Sequence, residues 1–114
     1  MKLVQVNADY LELEVIMHLV KIEWCSIEDG GRKEIPSKGR YFSVAKIPGD
    51  ISSKYETWSV VFELESLHQE SGKFISTGKF DFLMDTAPQE KMRKSNTFEI
   101  YEGPKKVAKV TLLS

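Results

Sequence analysis

Apolar and polar residues alternate along several stretches of this chain, most clearly between residues 57 and 66. In the sequence TWSVVFELES, every second residue is large and apolar, which places Trp58, Val60, Phe62 and Leu64 on one face. A period of two is typical of a β-strand that buries one of its faces. The pattern therefore predicts a strand over these ten residues, with the four apolar side chains in the core.

The N-terminal segment also alternates, but its apolar face changes side. Apolar residues first occupy odd positions and then even ones: Leu11, Leu13, Val15, Met17 and Leu19, followed by Val20, Ile22 and Trp24. A change of parity predicts a β-bulge or a break between two strands. A helix is the alternative, because residues 11, 15, 18 and 22 lie near one helical face. Strand is favoured, since Val, Ile, Tyr and Trp are frequent in this segment.

Other segments read as strands separated by turn signals. They are RYFSVAKI (residues 40–47), FISTGKFDFLM (74–84), TFEIYEG (97–103) and KVAKVTLL (106–113), the last two joined as a hairpin at Gly103-Pro104. Gly78 predicts a kink in the second of these, or a division into two short strands. Residues 48–56 read as a loop, 68–73 as a turn, and the polar residues 85–96 as a segment with a helical turn. Six or seven short strands predict an all-β barrel or sandwich.

The composition indicates a single globular domain but does not indicate which kind of partner it binds. The 114 residues fit one domain, and 41% hydrophobic and 29% charged residues are ordinary for a globular chain. A net charge of -1 provides no global field that selects nucleic acid or a membrane. The N-terminus does not resemble a secretory signal, and no apolar run reaches the ~18 residues of a membrane span. With one cysteine and no disulfide, we expect a cytoplasmic protein and no membrane partner.

No set of residues forms a recognisable catalytic or metal-binding motif. Glu12, Glu14 and His18 could share a strand face as a weak metal site, but a solvated face explains them better. Cys25 could act as a nucleophile if His68 came close, although a thiol beside a tryptophan is usually a packing residue. The acidic pairs at positions 63 and 65, and 99 and 102, fit outward-facing strand positions. We therefore expect no enzyme activity, no cofactor and no metal.

Residues 27–41 (IEDGGRKEIPSKGRY) carry the most distinctive local chemistry. Four basic residues fall within nine positions, namely Arg32, Lys33, Lys38 and Arg40. Such a group could contact phosphates, giving an affinity that depends on salt and tolerates sequence changes. A solvated loop whose charges maintain solubility explains the same residues, and this alternative stays open.

The same region, together with the C-terminal hairpin, resembles the C-terminal β-barrel of elongation factor Tu. That barrel begins with a strand that enters a Glu-Gly-Gly-Arg turn, followed by a basic residue and a proline; here Asp29-Gly30-Gly31-Arg32-Lys33 and Pro36 are similar. Gly39-Arg40-Tyr41-Phe42 stands where the family has Gly-Tyr-Arg-Pro. The family closes with Phe-x-Ile-x-Glu-Gly, which resembles residues 98–103. The resemblance covers residues 16–114.

This resemblance implies a closed six-stranded antiparallel barrel of Greek-key type, with residues 1–15 as an N-terminal extension of a single domain, 1–114. It implies that Arg32 and Lys33 correspond to basic residues near the T arm of bound tRNA, and Arg40 to the arginine of the exchanged motif. Ala108 and Val110 replace two family glycines. The family's GTPase domain has no counterpart in these residues, so no nucleotide cofactor is expected.

Two functions remain for comparison. The first is a non-enzymatic binding module that contacts RNA or another anionic partner through residues 32, 33, 38 and 40. The second is a protein-interaction or regulatory protein, similar to a small immunity protein, with an unidentified protein partner. A contiguous basic surface favours the first, whereas an exposed apolar surface favours the second.

Overall fold

A computed structural model describes residues 18–26, 34–36, 38–48, 55–84, 87 and 89–113. Over these ranges the chain forms six strands and one helix. In chain order they are β1 (His18–Trp24), β2 (Gly39–Pro48), β3 (Tyr55–Glu70), β4 (Lys73–Phe82), α1 (Gln89–Ser95), β5 (Thr97–Glu102) and β6 (Lys105–Leu112). The predictions for residues 1–17, including the N-terminal extension, lie outside the described part of the chain. At the predicted change of parity, between Leu19 and Val20, β1 continues without a break or bulge, and Leu19 is exposed.

The six strands close into one barrel with the spatial order β1-β4-β3-β2-β5-β6, and β6 pairs with β1. Every neighbouring pair is antiparallel. β2, β3 and β4 follow each other by hairpins, and β1 lies beside β4, which is Greek-key connectivity. The prediction of a closed six-stranded antiparallel barrel of Greek-key type is therefore confirmed.

Because side chains alternate along a strand, every second residue of each strand points into the barrel. In β1, Val20, Ile22 and Trp24 are buried, as the even-numbered pattern predicts. In β3, Val60, Phe62 and Leu64 are buried, and Trp58 packs against the core while half-buried. Aromatic rings fill the centre: the ring of Phe80 lies 5.3 Å from that of Phe62, 5.1 Å from that of Phe82 and 5.0 Å from that of Phe98. Tilted and edge contacts of this kind add about 0.5–1.5 kcal/mol each beyond burial.

The β3–β4 hairpin is longer than the sequence pattern predicts. β3 continues to Glu70 and β4 starts at Lys73, so His68–Glu70 are strand rather than turn. Ser71 and Gly72 both have positive φ, 52° and 82°. Two consecutive left-handed residues make a two-residue hairpin loop, which lets both strands run to its edge. β4 is also a single strand through Gly78, not two short ones.

Helix α1 connects β4 to β5 in the chain and packs against β2 and β5. Met92 is completely buried in the same core cluster as the barrel residues. Asn96 terminates the helix with φ 65°, and its N–H donates to the carbonyl of Met92 at 2.9 Å. The side chains of His18 and Gln89 are 3.0 Å apart and join the helix to β1. The predicted helical turn in residues 85–96 is confirmed, and so is the β5–β6 hairpin at Gly103-Pro104.

Candidate binding surface on strand β2

The structure describes two of the four predicted contact residues, Lys38 and Arg40, at the start of β2. Arg32 and Lys33 lie outside the described residues. β1 and β2 run in opposite directions in the barrel order, because β1-β4-β3-β2 are successively antiparallel. β1 therefore ends, and β2 begins, at the same end of the barrel. Lys38 immediately precedes β2 and Arg40 is its second residue, so both lie at that end.

The local sequence of β2 directs its even-numbered side chains outward. Gly39 has φ 92°, a conformation that an L side chain rarely adopts, and it leads directly into the strand. Tyr41, Ala45 and Ile47 are buried, while Arg40 and Phe42 are exposed. We call the exposed or half-buried residues Lys38, Arg40, Phe42 and Lys46 the β2 outer row. Its charged members are all cations.

Arg40 on β2 forms an ion pair with Glu63 on the neighbouring strand β3. Its Nε donates to Oε2 of Glu63 at 2.9 Å, and the two residues are directly opposite in the β2–β3 register. The side chains are 65% and 39% exposed. An exposed pair of this kind contributes about 0–1 kcal/mol to stability, so it opens at little cost. Arg40 can therefore exchange its carboxylate partner for another anion.

Phe42 is the residue of this surface that the sequence patterns did not single out. Its side chain is 57% exposed, although large aromatic residues usually contribute to the core. It lies opposite Val61, which is half-buried, and two residues from Arg40 on the same face. The signal was present in the alternation of RYFSVAKI, since a buried Tyr41 requires an outward Phe42.

At the other end of the row, Lys46 lies over an aromatic ring. Its Nζ is 4.0 Å from the ring centroid of Tyr101 on β5. The hydroxyl of Tyr101 donates to Glu99 Oε1 at 2.9 Å, and Lys106 Nζ approaches the same carboxylate at 3.1 Å. Burial raises the pKa of Glu99, but the hydrogen bonds from Tyr101 and Lys106 outweigh it, so the net pKa is below 4.5. Lys46 is thus held over the ring of Tyr101, a second aromatic residue on this side of the barrel.

The residues considered for catalysis have other partners. Cys25 is half-buried, and its N–H donates to the Val107 carbonyl at 2.9 Å. His68 Nε2 is 2.9 Å from Glu70 Oε2 and lowers the pKa of that carboxyl, assisted by Lys21. Within the described residues no hydrogen bond joins Cys25 to His68, and no group of three potential metal ligands occurs. Glu12 and Glu14 lie outside the described ranges.

The acidic pairs are also accounted for by strand contacts. Glu65 approaches Lys79 at 3.9 Å, and Glu102 accepts a hydrogen bond of 2.5 Å from the Tyr41 hydroxyl. Ala108 and Val110, which replace the two family glycines, are completely buried. Their side chains belong to the core.

Comparisons with protein-family models, with curated proteins and with solved structures find no match to this chain. The resemblance to the C-terminal barrel of elongation factor Tu therefore stays a prediction. In the part of the chain that the structure describes, no helix has the length and apolar character needed to cross a membrane.

Proposed function

We propose that this protein is a non-enzymatic binding module that holds RNA, or a comparable polyanion, along the β2 outer row. The observation that carries the proposal is the row itself: Arg40, Lys46 and the exposed Phe42 lie on the outer face of β2, and a third cation, Lys38, immediately precedes the strand. Lys38 and Arg40 come from the predicted set, to which the sequence adds Arg32 and Lys33. Lys46 and Phe42 extend that set along β2.

The dimensions of the row suit a short stretch of backbone phosphates. Arg40 and Lys46 are six residues apart on β2, which corresponds to about 20 Å along an extended strand. Cations at that spacing contact several phosphates, whereas a single surface lysine contacts one. The Arg40–Glu63 pair is exposed, so phosphate competes with the carboxylate at little cost.

The single cysteine favours a reducing compartment, and we place the module in the cytoplasm as a translation-related barrel.

Binding to labelled tRNA, followed by fluorescence anisotropy at several salt concentrations, tests this proposal. The affinity is expected to fall steeply between about 50 and 200 mM salt, because bound counterions are released. Lys38→Ala combined with Arg40→Ala should weaken binding by an order of magnitude and flatten the salt dependence. Lys79→Ala combined with Lys109→Ala removes the same charge from β4 and β6 and should have a smaller effect.

Absence of any RNA binding, or equal losses in the two double variants, contradicts the proposal. Arg32→Ala and Lys33→Ala, measured in the same assay, test whether the predicted loop residues extend the surface. Loss of affinity in these variants supports the wider set. Unchanged affinity restricts the surface to β2.

A protein partner is the second candidate, and exposed apolar residues favour it. Phe42 lies opposite Val61, while Leu83 and Met84, which follow β4, are 50% and 56% exposed. Exposed apolar surface is typical of protein interfaces. Affinity capture with the wild-type chain and with Leu83→Ser tests this alternative. A specific protein that is retained at high salt and lost with the variant supports it, and no specific protein despite good recovery of the bait contradicts it.

A further inference from the structure

Phe42 occupies a position that phosphate binding alone does not require. Its ring is 57% exposed on the outer face of β2, with Arg40 two residues before it and Lys46 four residues after it. The other aromatic residues of β2 and β3 with ring contacts, Tyr41, Trp58 and Phe62, face or pack against the core. A ligand that covers the ring of Phe42 would remove from water the apolar surface that the fold leaves exposed, and this burial would favour binding.

We propose, resting on the proposed function, that Phe42 is a stacking platform for an unpaired base and that the partner is single-stranded nucleic acid. A flat aromatic ring between cations is the arrangement that proteins use for single strands, since the cations hold the backbone while each base stacks on a ring. The charges of the row and the ring thus act on different parts of one ligand.

A duplex would not use this ring. The bases of an A-form helix are stacked on one another, and double-stranded RNA is recognised through phosphates, 2′-hydroxyls and shape. Arg40 and Lys46 would contact either form, but Phe42 would gain a partner only from a base that is exposed. The ring therefore predicts a preference for single strands, which a row of cations alone would lack.

Tyr101 has a different role in this surface. Its ring already carries Lys46 at 4.0 Å, and its hydroxyl is bonded to Glu99. This contact holds the ammonium of Lys46 beside the outer face of β2, where it can contact the backbone of the bound nucleic acid. Phe42 has no ring contact of this kind among the described residues, so its exposed face is the platform.

The test compares two RNA probes with three variants of the full chain. The probes are a single-stranded pyrimidine oligonucleotide of about ten nucleotides and a hairpin duplex of similar length. Phe42→Leu keeps an apolar side chain of similar bulk and removes the aromatic face, whereas Phe42→Trp keeps that face. Phe74→Leu is the matched variant, because Phe74 is also exposed, at 41%, but lies at the β3–β4 hairpin. Far-UV circular dichroism and thermal midpoints check that the variants are folded.

The expected result is that Phe42→Leu weakens binding of the single strand about fivefold or more and leaves duplex binding unchanged. Phe42→Trp and Phe74→Leu should retain wild-type affinity for the single strand. A photoreactive halogenated uracil in the same oligonucleotide should cross-link to the peptide that contains Phe42.

Three other results overturn the inference. If the single strand and the duplex bind equally and Phe42→Leu changes neither, the stacking site is absent, while loss of binding in the Lys38 and Arg40 variants still supports the proposed function. If neither RNA binds, both proposals fail. If no RNA binds but Phe42→Leu abolishes capture of a protein, the ring belongs to a protein interface.

Discussion

Gly78 on β4 lies directly against the backbone of β3, with no room for a side chain between it and the carbonyl oxygen of Glu63. A Cβ at this position would collide with that oxygen and would lie 3.0 Å from the Cα of Leu64. The register between the two strands shifts immediately after this point, between Leu64 and Ser66. Gly78 therefore accommodates the close approach of β3 at the point where its register shifts.

Replacing Gly78 with alanine should destabilise the barrel, because the β3 backbone would have to move. We expect the free energy of unfolding to fall by about 2–3 kcal/mol, as for other substitutions that overfill a packed site. Chemical denaturation followed by circular dichroism measures this change. Gly72→Ala is a useful comparison, since Gly72 has φ 82° but open space around it, and should cost about 1 kcal/mol. Equal costs at both sites would show that the close approach to Glu63 is not what requires glycine.

The resemblance to the C-terminal barrel of elongation factor Tu implied the closed six-stranded barrel, whereas the alternation of apolar residues predicted the strands and left a barrel or a sandwich open. The alternation identified the buried faces of β1 and β3, because a strand that buries one face leaves a period-two pattern. It did not show why Gly78 is glycine, since the kink that the pattern predicts and the close approach that the structure has produce the same sequence. The length of the β3–β4 hairpin was also missed, because Ser71 and Gly72 make a shorter loop than the polar run suggests.

The proposed binding surface was harder to predict from the sequence. Lys38 and Arg40 were found because cations cluster before a predicted strand. The pairing of Arg40 with Glu63 depends on the register between β2 and β3, and alternation within each strand contains no information about register. Phe42 was overlooked because an aromatic residue in a strand is usually assigned to the core.

The hydrogen bond between Trp24 and Ser76 should contribute measurably to stability. Trp24 Nε1 donates to Ser76 Oγ at 2.8 Å, and Ser76 is completely buried. Ser76→Ala would leave the indole N–H without this acceptor and should cost about 1–3 kcal/mol. Thermal denaturation compared with Ser59→Ala, an exposed serine on β3, measures the difference. A change within about 0.5 kcal/mol in both variants would show that the buried bond adds nothing.

Met92 should be the main contribution of α1 to the core. Its side chain is completely buried among the barrel residues. Met92→Ala would leave a cavity and should reduce the free energy of unfolding by about 2–5 kcal/mol, whereas Met92→Leu should cost less than about 1.5 kcal/mol. Urea denaturation of both variants tests this. Similar small costs for the two would mean that the helix lies on the barrel without filling it.

Acid should weaken the barrel partly through Glu99. The folded-state pKa of this carboxyl is below its ordinary value of 4.5, so its ionised form is favoured by folding. Its contribution is present above about pH 4.5 and is lost as the pH falls through the lowered folded-state pKa. Glu99→Gln should therefore be less stable than the wild type at neutral pH and should lose less stability in acid. Denaturation curves at a series of pH values measure both effects, and parallel pH profiles for variant and wild type would contradict the assignment.

Removing the carboxylate that pairs with Arg40 should strengthen RNA binding. Glu63 holds the guanidinium at 2.9 Å and competes with phosphate for it. Glu63→Gln should raise the affinity for RNA several-fold at low salt, while the free energy of unfolding changes by less than about 1 kcal/mol because the pair is exposed. Glu65→Gln changes the net charge equally, but Glu65 approaches Lys79 on β4 at 3.9 Å and not Arg40. A gain in affinity for Glu63→Gln alone supports contact between Arg40 and phosphate. An equal gain in both variants would show that the change in net charge explains the effect.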